Sequence, residues 1–294
     1  MSSQSEFIQI VKTNKVVDFA LAYIILVTIS AIFANYIAPY HYAQFNLSNV
    51  LQWPSWAHPF GTDYLGRDIF SRMIYGARLS LFGLVIAVST GAVIGVPIGL
   101  ISGYYSGKID LVISRIADVL LAFPGILLAF ALVAILGIGL VTAALSLGIT
   151  MVPRYIRIVR SQTLEIKQHN YIEIAKVNNV GGMSILFKHV LPNAIGPILI
   201  QVTFNAASAV LGIAALGFLG LGAQPPLPEW GTMLNEAQSY MMIAPYLMVP
   251  PGVAITLLVI SLNIIGEAVR DALDPKRKYI GLNALLVGAK QKND

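Results

Sequence analysis

The sequence predicts an all-α, polytopic membrane protein with six transmembrane helices. Of its 294 residues, 56% are hydrophobic and only 11% are charged, against about 25% charged in soluble domains. The mean hydropathy is +0.74. The charges also cluster, leaving long charge-free intervals, and a charge at the centre of a membrane helix costs about 2.5–3.5 kcal/mol. There is no cysteine, which excludes disulfide frameworks and thiolate metal sites. A net charge of +5 fits basic loops retained on one face of a bilayer, so no nucleic-acid partner is expected.

The first span, 17–38, follows Lys12 and Lys15 and has the length, roughly 20 residues, that a bilayer requires. The bulky Asn35-Tyr36-Ile37-Ala38-Pro39 after it lacks a small-residue cleavage pattern, so the segment reads as uncleaved. Next, Gly61 to Arg72 reads as an outer amphipathic helix lying on the membrane surface. Thr62 stands near its cap, Leu65, Ile69 and Met73 form its apolar stripe, and Asp63–Arg67 and Asp68–Arg72 are i,i+4 pairs with the acid first.

Span two, 79–103, carries Gly91, Gly95, Gly99 and Gly103. A glycine every four residues lets helix backbones approach closely in lipid. Pro97 is expected to kink this helix, which neighbouring helices tolerate. The interval from Val119 to Pro153 is too long for one span, and Gly137-Ile138-Gly139 marks a turn between spans 112–136 and 140–160. Spans five and six fall at 193–221 and 246–268. With the N-terminus inside, sixteen of the nineteen Lys and Arg lie on the cytoplasmic side, which places both termini there. Only Arg67, Arg72 and Arg78 fall outside.

The chain therefore divides into a cytoplasmic N-terminus (1–16), a first helix with an external loop (17–78), a core of five helices (79–270) and a cytoplasmic tail (271–294). Within the core, 161–192 is a polar, basic insert between two apolar stretches. There Tyr171 to Val177 forms a short helix, with Ile172, Ala175 and Val180 as its apolar face. Asn178 and Asn179 tolerate the left-handed conformation that ends helices, Gly181-Gly182 lets the chain reverse, and Ser184 is positioned to cap the next helix. Such a crosswise helix suits docking into the groove of a water-soluble partner.

The chemistry that is missing is equally informative. Gly107-Lys108 is followed by Ile109, so there is no phosphate-cradling loop. His-Glu-x-x-His and Gly-x-Ser-x-Gly are also absent. Arg115, Asp118, Glu267, Arg270 and Asp271 sit near span ends and suit local pairing, while the span centres are uncharged, unlike those of a proton-coupled carrier. No catalytic, cofactor-binding or metal-binding residues are expected, and the energy for any transport must come from another subunit.

Several motifs carry a family resemblance. Tyr171 to Asn193, with Glu173, Ala175, Lys176, the Asn178-to-Gly182 turn and His189-Val190-Leu191-Pro192, resembles the "EAA" coupling loop of ABC importer permeases. Phe218 to Leu234, with Gln224-Pro225-Pro226-Leu227-Pro228-Glu229-Trp230-Gly231, strongly resembles an external segment of the peptide/nickel importer permeases. His58 to Asp63, Gly66-Arg67-Asp68, Ala122-Phe123-Pro124 and Arg270 to Pro275 do so too. Over roughly residues 15–278 the chain is similar to the second, C-type permease subunit of dipeptide and oligopeptide ABC importers.

The resemblance implies a type I ABC importer permease fold in the inner cell membrane. It also implies a heterodimer with a homologous permease, two cytoplasmic ATPase subunits holding ATP and Mg, and an external solute-binding protein. The cargo implied is a di- or oligopeptide, with nickel or a metallophore and glutathione open within the same machinery. A self-sufficient channel or secondary carrier is the reading from another class. One departure stands out: Asn179 occupies the place where the family usually has Gly, and the turn is expected to survive because Asn tolerates the left-handed region.

Overall fold

The structure, a computed structural model, describes residues 14–273. The chain beyond them, including the expected cytoplasmic N-terminus to residue 13 and most of the tail, lies outside the described residues. Among the described residues nine helices have eight residues or more, beginning with α1 Lys15–Ile32, α2 Ile69–Tyr105, α3 Gly107–Ala122, α4 Gly125–Leu136, α5 Leu140–Ile166 and α6 Asn170–Val177. They are followed by α7 Gly182–Phe218, which contains a π-turn at Leu186–Val190, then α8 Trp230–Gln238 and α9 Val249–Leu273.

Among the described residues, four helices (α1, α2, α7 and α9 with its preceding turn) are long and apolar enough to cross a membrane, or five if α3 and α4 count as one broken span. The helix at the remaining predicted span, α5, has 27 residues, but Arg154, Arg157 and Arg160 interrupt its apolar character in the second half. The span expected over 112–136 is not one rod, because α3 and α4 meet at 94°. Pro124 cannot donate a backbone hydrogen bond and pushes Phe123 into extended geometry, observed at φ −88°, ψ 139°.

The outer amphipathic helix expected over Gly61–Arg72 is not formed. Gly61 and Gly66 take positive φ (78° and 70°), Thr62 pairs with Asp68 across an isolated bridge, and α2 begins only at Ile69. Asp68 is its cap: Oδ2 accepts from the Ser71 amide and the Ser71 hydroxyl, each at 2.7 Å. Two glycines in conformations that side chains avoid thus win over the helical charge spacing. Helix α2 starts ten residues before the expected span and runs through Pro97 without interruption.

Helices α2 and α5 form the central pair. A Cβ built on Gly91 would meet Met151 Cβ at 2.9 Å, one on Gly95 would meet Tyr155 Cβ at 2.5 Å, and one on Gly99 would meet Val159 Cβ at 2.8 Å. On Gly103 it would meet Thr163 Cβ at 2.6 Å. The four glycines therefore form a flat strip against α5, and dispersion contact replaces side-chain volume. Helix α7 closes one side through Ala206, Ala209 and Ile213. Helices α1 and α9 close the other around Val27, Ile255 and Leu258.

Candidate functional site

The short helix α6 lies at the end of the bundle where α2 stops. Ile172 and Ala175, three residues apart, are buried in a cluster with Leu100 of α2, Val159 and Ile166 of α5, and Ile185, Leu186 and Val190. Val180 packs at its edge. The opposite face leaves Tyr171, Ile174 and Val177 exposed, at 42%, 60% and 81%. Glu173 and Lys176 are exposed beside them, and Met183 and Phe187 stay about half exposed on the next helix. On this uncovered face of an eight-residue helix, Tyr171 stacks on His169 at 5.6 Å, while Ile174 and Val177, three residues apart, stay largely exposed, as at surfaces that meet a partner.

The turn after α6 closes tightly. The amides of Asn178 and Val180 donate to Ile174 and Ala175 carbonyls at 3.0 Å each, and Asn179 takes φ 56°. Asn reaches the left-handed region at less cost than most side chains. Ser184 is not the cap of the following helix: Gly181 holds that position, in extended geometry and without a side-chain bond. Of the loop residues singled out in the sequence, Tyr171, Glu173, Lys176, Asn178, Asn179 and Gly181 are exposed and Gly182 is half-buried, while Ala175 faces the bundle.

A second polar assembly occupies the opposite end of α2; of its contacts, only the Asp63–Arg67 pair is expected from residue spacing. Asp63 Oδ1 accepts from the Leu65 and Arg67 amides at 2.9 Å, and its Oδ2 lies 2.6 Å from Arg67 Nε. Glu236 Oε2 receives Arg67 Nη2 at 2.9 Å and Arg72 Nη2 at 2.7 Å. Arg72 thus reaches α8 rather than its i−4 neighbour Asp68, which instead meets His58 Nδ1 at 2.9 Å. Burial would lower the Arg67 pKa, but Asp63 and Glu236 raise it overall. Burial pushes Glu236 up despite Arg72 and Arg67.

The motif from Gln224 to Trp230 leads into α8, which carries Glu236. Glu229 is fully buried at the start of α8. Its Oε1 accepts from Ser80 Oγ of α2 at 3.0 Å and its Oε2 from the Thr232 amide at 3.0 Å. Burial raises its pKa against the pull of the Gly231 and Thr232 amides. Trp230 Nε1 donates to the Met73 carbonyl at 3.0 Å. Gln224 Nε2 donates to the Gly220 and Gly222 carbonyls, and Pro225 and Pro226 are exposed. Glu229 and Trp230 therefore fasten α8 to α2, whereas Gln224, Pro225 and Pro226 shape the loop before it.

Among the described residues no group of three His, Cys, Asp or Glu could hold a metal. A groove of about 1200 Å³ between α1 and α9, lined by Tyr23, Leu26, Met73 and Val253 among others, is almost wholly apolar and offers nothing to hold a polar solute.

Residues 95–279 match the family model described as "Binding-protein-dependent transport system inner membrane component". Residues 5–54 match "N-terminal TM domain of oligopeptide transport permease C". The dipeptide transport system permease protein DppC of Alkalihalophilus pseudofirmus is 47% identical over 267 residues, covering 91% of this chain and 88% of that one. The glutathione transport system permease protein GsiD of Escherichia coli O6:K15:H31 is also 47% identical, over 88% of this chain and 86% of that one. Among solved structures, an inward-facing MetNI methionine ABC transporter chain aligns with a TM-score of 0.57 at 23% identity. The alignment covers 69% of this chain and 97% of that one, a likeness of fold.

Proposed function

The chain belongs to the family of binding-protein-dependent transport system inner membrane components, and from that premise we propose that it forms half of the translocation path of an ATP-driven importer of short peptides. The other half is a homologous permease. Two cytoplasmic ATPase subunits bind ATP and Mg and hydrolyse the ATP, an external binding protein delivers the cargo, and both termini of this chain face the cytoplasm. The division into 1–16, 17–78, 79–270 and 271–294 stands within this reading. The relatives transport dipeptides and glutathione, so a short peptide is the cargo class, with glutathione, itself a tripeptide, inside it.

The observation that carries the coupling role is the exposed apolar face of α6, with Tyr171, Ile174 and Val177 outward and Ile172 and Ala175 inward. That division suits a helix gripped by one body and seated in another. ATP binding would close the ATPases, α6 would follow, and the bundle would open to alternate sides. Glu173 and Lys176 would set the polar register of docking. Asn178, Asn179, Gly181 and Gly182 would form the turn that holds α6 across the bundle axis, and Ala175 would anchor the helix.

The test is reconstitution of the complex purified through this chain. Co-purification of ATPase subunits and ATP-dependent uptake of a labelled dipeptide, competed by glutathione if the specificity is broad, are expected. Uptake by this chain alone, down a gradient or under a proton gradient, would overturn the proposal.

A further inference from the structure

Tyr104, the penultimate residue of α2, is touched from three separate points of the α6 loop. Lys167, just before α6, donates from Nζ to the Tyr104 carbonyl at 2.6 Å and to Ser106 Oγ at 3.1 Å, and its Nζ also stands 5.7 Å from the Tyr104 ring centroid. Lys176, within α6, places its Nζ 5.9 Å from that centroid. Gly182, just after α6, brings its backbone so close that a Cβ there would lie 3.0 Å from Tyr104 Cε1. Tyr105 stacks edge-on to Tyr104 at 5.2 Å, and the Tyr104 ring packs against the cluster that holds Ile172 and Ala175. A ring flanked by two ammonium groups and a bare backbone is held on several sides, because each ammonium is drawn to the negative face of the ring.

The helix that carries this ring is, with α7, one of the two longest among the described residues. Its 37 residues span about 55 Å at 1.5 Å per residue. It lies flat against α5 along four glycines, and its far end carries Asp68, Arg72 and Ser80, which bind His58, Glu236 and Glu229. A displacement of α6 therefore has a stiff route to the opposite end of the molecule, provided that α6 grips α2. We propose that Tyr104 is the positioning residue through which the α6 loop moves α2, the ring acting as the handle that Lys167, Lys176 and Gly182 hold. This inference rests on the importer reading above.

The test uses the complete importer in proteoliposomes and reads the ATP hydrolysed per peptide taken up. Tyr104→Phe keeps the ring and its π-face and should match the wild type. Tyr104→Leu keeps bulk without a π-face, and Tyr104→Ala removes both. Each should raise the ATP used per peptide at least about fivefold, the low end of inter-site coupling, and blunt the stimulation of hydrolysis by the binding protein. A purely structural role would instead lower assembly, hydrolysis and uptake together and leave the ratio unchanged. An unchanged ratio in Tyr104→Leu, or an equal rise in Tyr104→Phe, overturns the inference. If Tyr104→Ala fails to assemble, the Leu and Phe variants still decide. A wild-type complex without ATP-driven uptake would mark failure of the importer reading itself.

Discussion

Arg72 and Glu236, 164 residues apart in sequence, meet at 2.7 Å between Nη2 and Oε2. Their side chains are 1% and 11% exposed. The pair ties the start of α2 to α8, and Arg67 shares the same carboxylate oxygen. Removing Glu236 leaves the buried Arg72 with only the longer 3.7 Å contact to Asp63, and breaking a buried pair costs up to about 3–5 kcal/mol, whereas replacing the pair with apolar residues of like size is far milder. Glu236→Ala is therefore expected to lower the thermal midpoint of the purified protein sharply, and Glu236→Leu with Arg72→Met to recover most of the loss. Equal midpoints for the two variants would refute this account.

Glu229 gives a pH dependence. Its pKa in the folded chain is raised above the ordinary 4.5 by burial. The stability it contributes is therefore fully present below that ordinary value and is lost as pH rises through the raised one. Glu229→Gln keeps the shape without the titration. Above 4.5 its midpoint should decline less than that of the wild type, the slope due to Glu236 remaining, as thermal scans at stepped pH would show.

The strip of glycines on α2 predicts a graded steric response. Gly95→Ala brings a methyl to 2.5 Å from Tyr155 Cβ and 2.8 Å from the Val152 carbonyl, and overpacking of this kind costs about 1–3 kcal/mol. Gly252→Ala on α9 meets nothing within 4 Å and should be neutral or stabilising by up to about 1 kcal/mol, the helix-propensity gain of Ala over Gly. Parallel melting of the two variants in the same detergent checks the difference.

Asn179 sits at φ 56°. Asn179→Gly should retain wild-type coupling, since Gly enters that region freely. Asn179→Val should weaken the turn by about 1–2 kcal/mol and reduce uptake while ATP hydrolysis continues. Uptake and hydrolysis measured together would distinguish this from simple loss of protein.

The two faces of α6 should separate cleanly on mutation. Val177→Asp, at an 81% exposed position, should leave the chain folded yet unable to retain ATPase subunits on a column. Ile172→Asp, at a position with no exposure, should lower the yield of folded protein. A Val177→Asp chain that holds the ATPases as well as the wild type would rule out this face as the seat.

Much of the helical layout was legible because lipid forbids charge at span centres, so the uncharged runs outline α1, α2, α7 and α9 directly. The α6 turn was legible because few residues enter the left-handed region, and Asn and Gly cluster there. The assembly around Glu236 was not. Asp63–Arg67 and Asp68–Arg72 have helical spacing, and nothing local reveals that Arg72 turns instead to a residue 164 positions away. The 94° break between α3 and α4 had a visible cause in Pro124, but proline alone does not set an angle. Tyr104 escaped notice because its neighbours Lys167, Lys176 and Gly182 are scattered along a loop whose path only the fold defines.

Arg78 has an implication for how the molecule is made. From α2, its Nε and Nη2 reach the Ala31 and Ile32 carbonyls, at 2.8 and 3.1 Å, where α1 runs out of helical partners for its last oxygens. Ribosomes deliver α1 first, and the side chain that meets those two oxygens in the folded chain is synthesised more than forty positions later. A chain truncated before Arg78 is therefore expected to carry a first helix whose end is held by water alone and frays more readily.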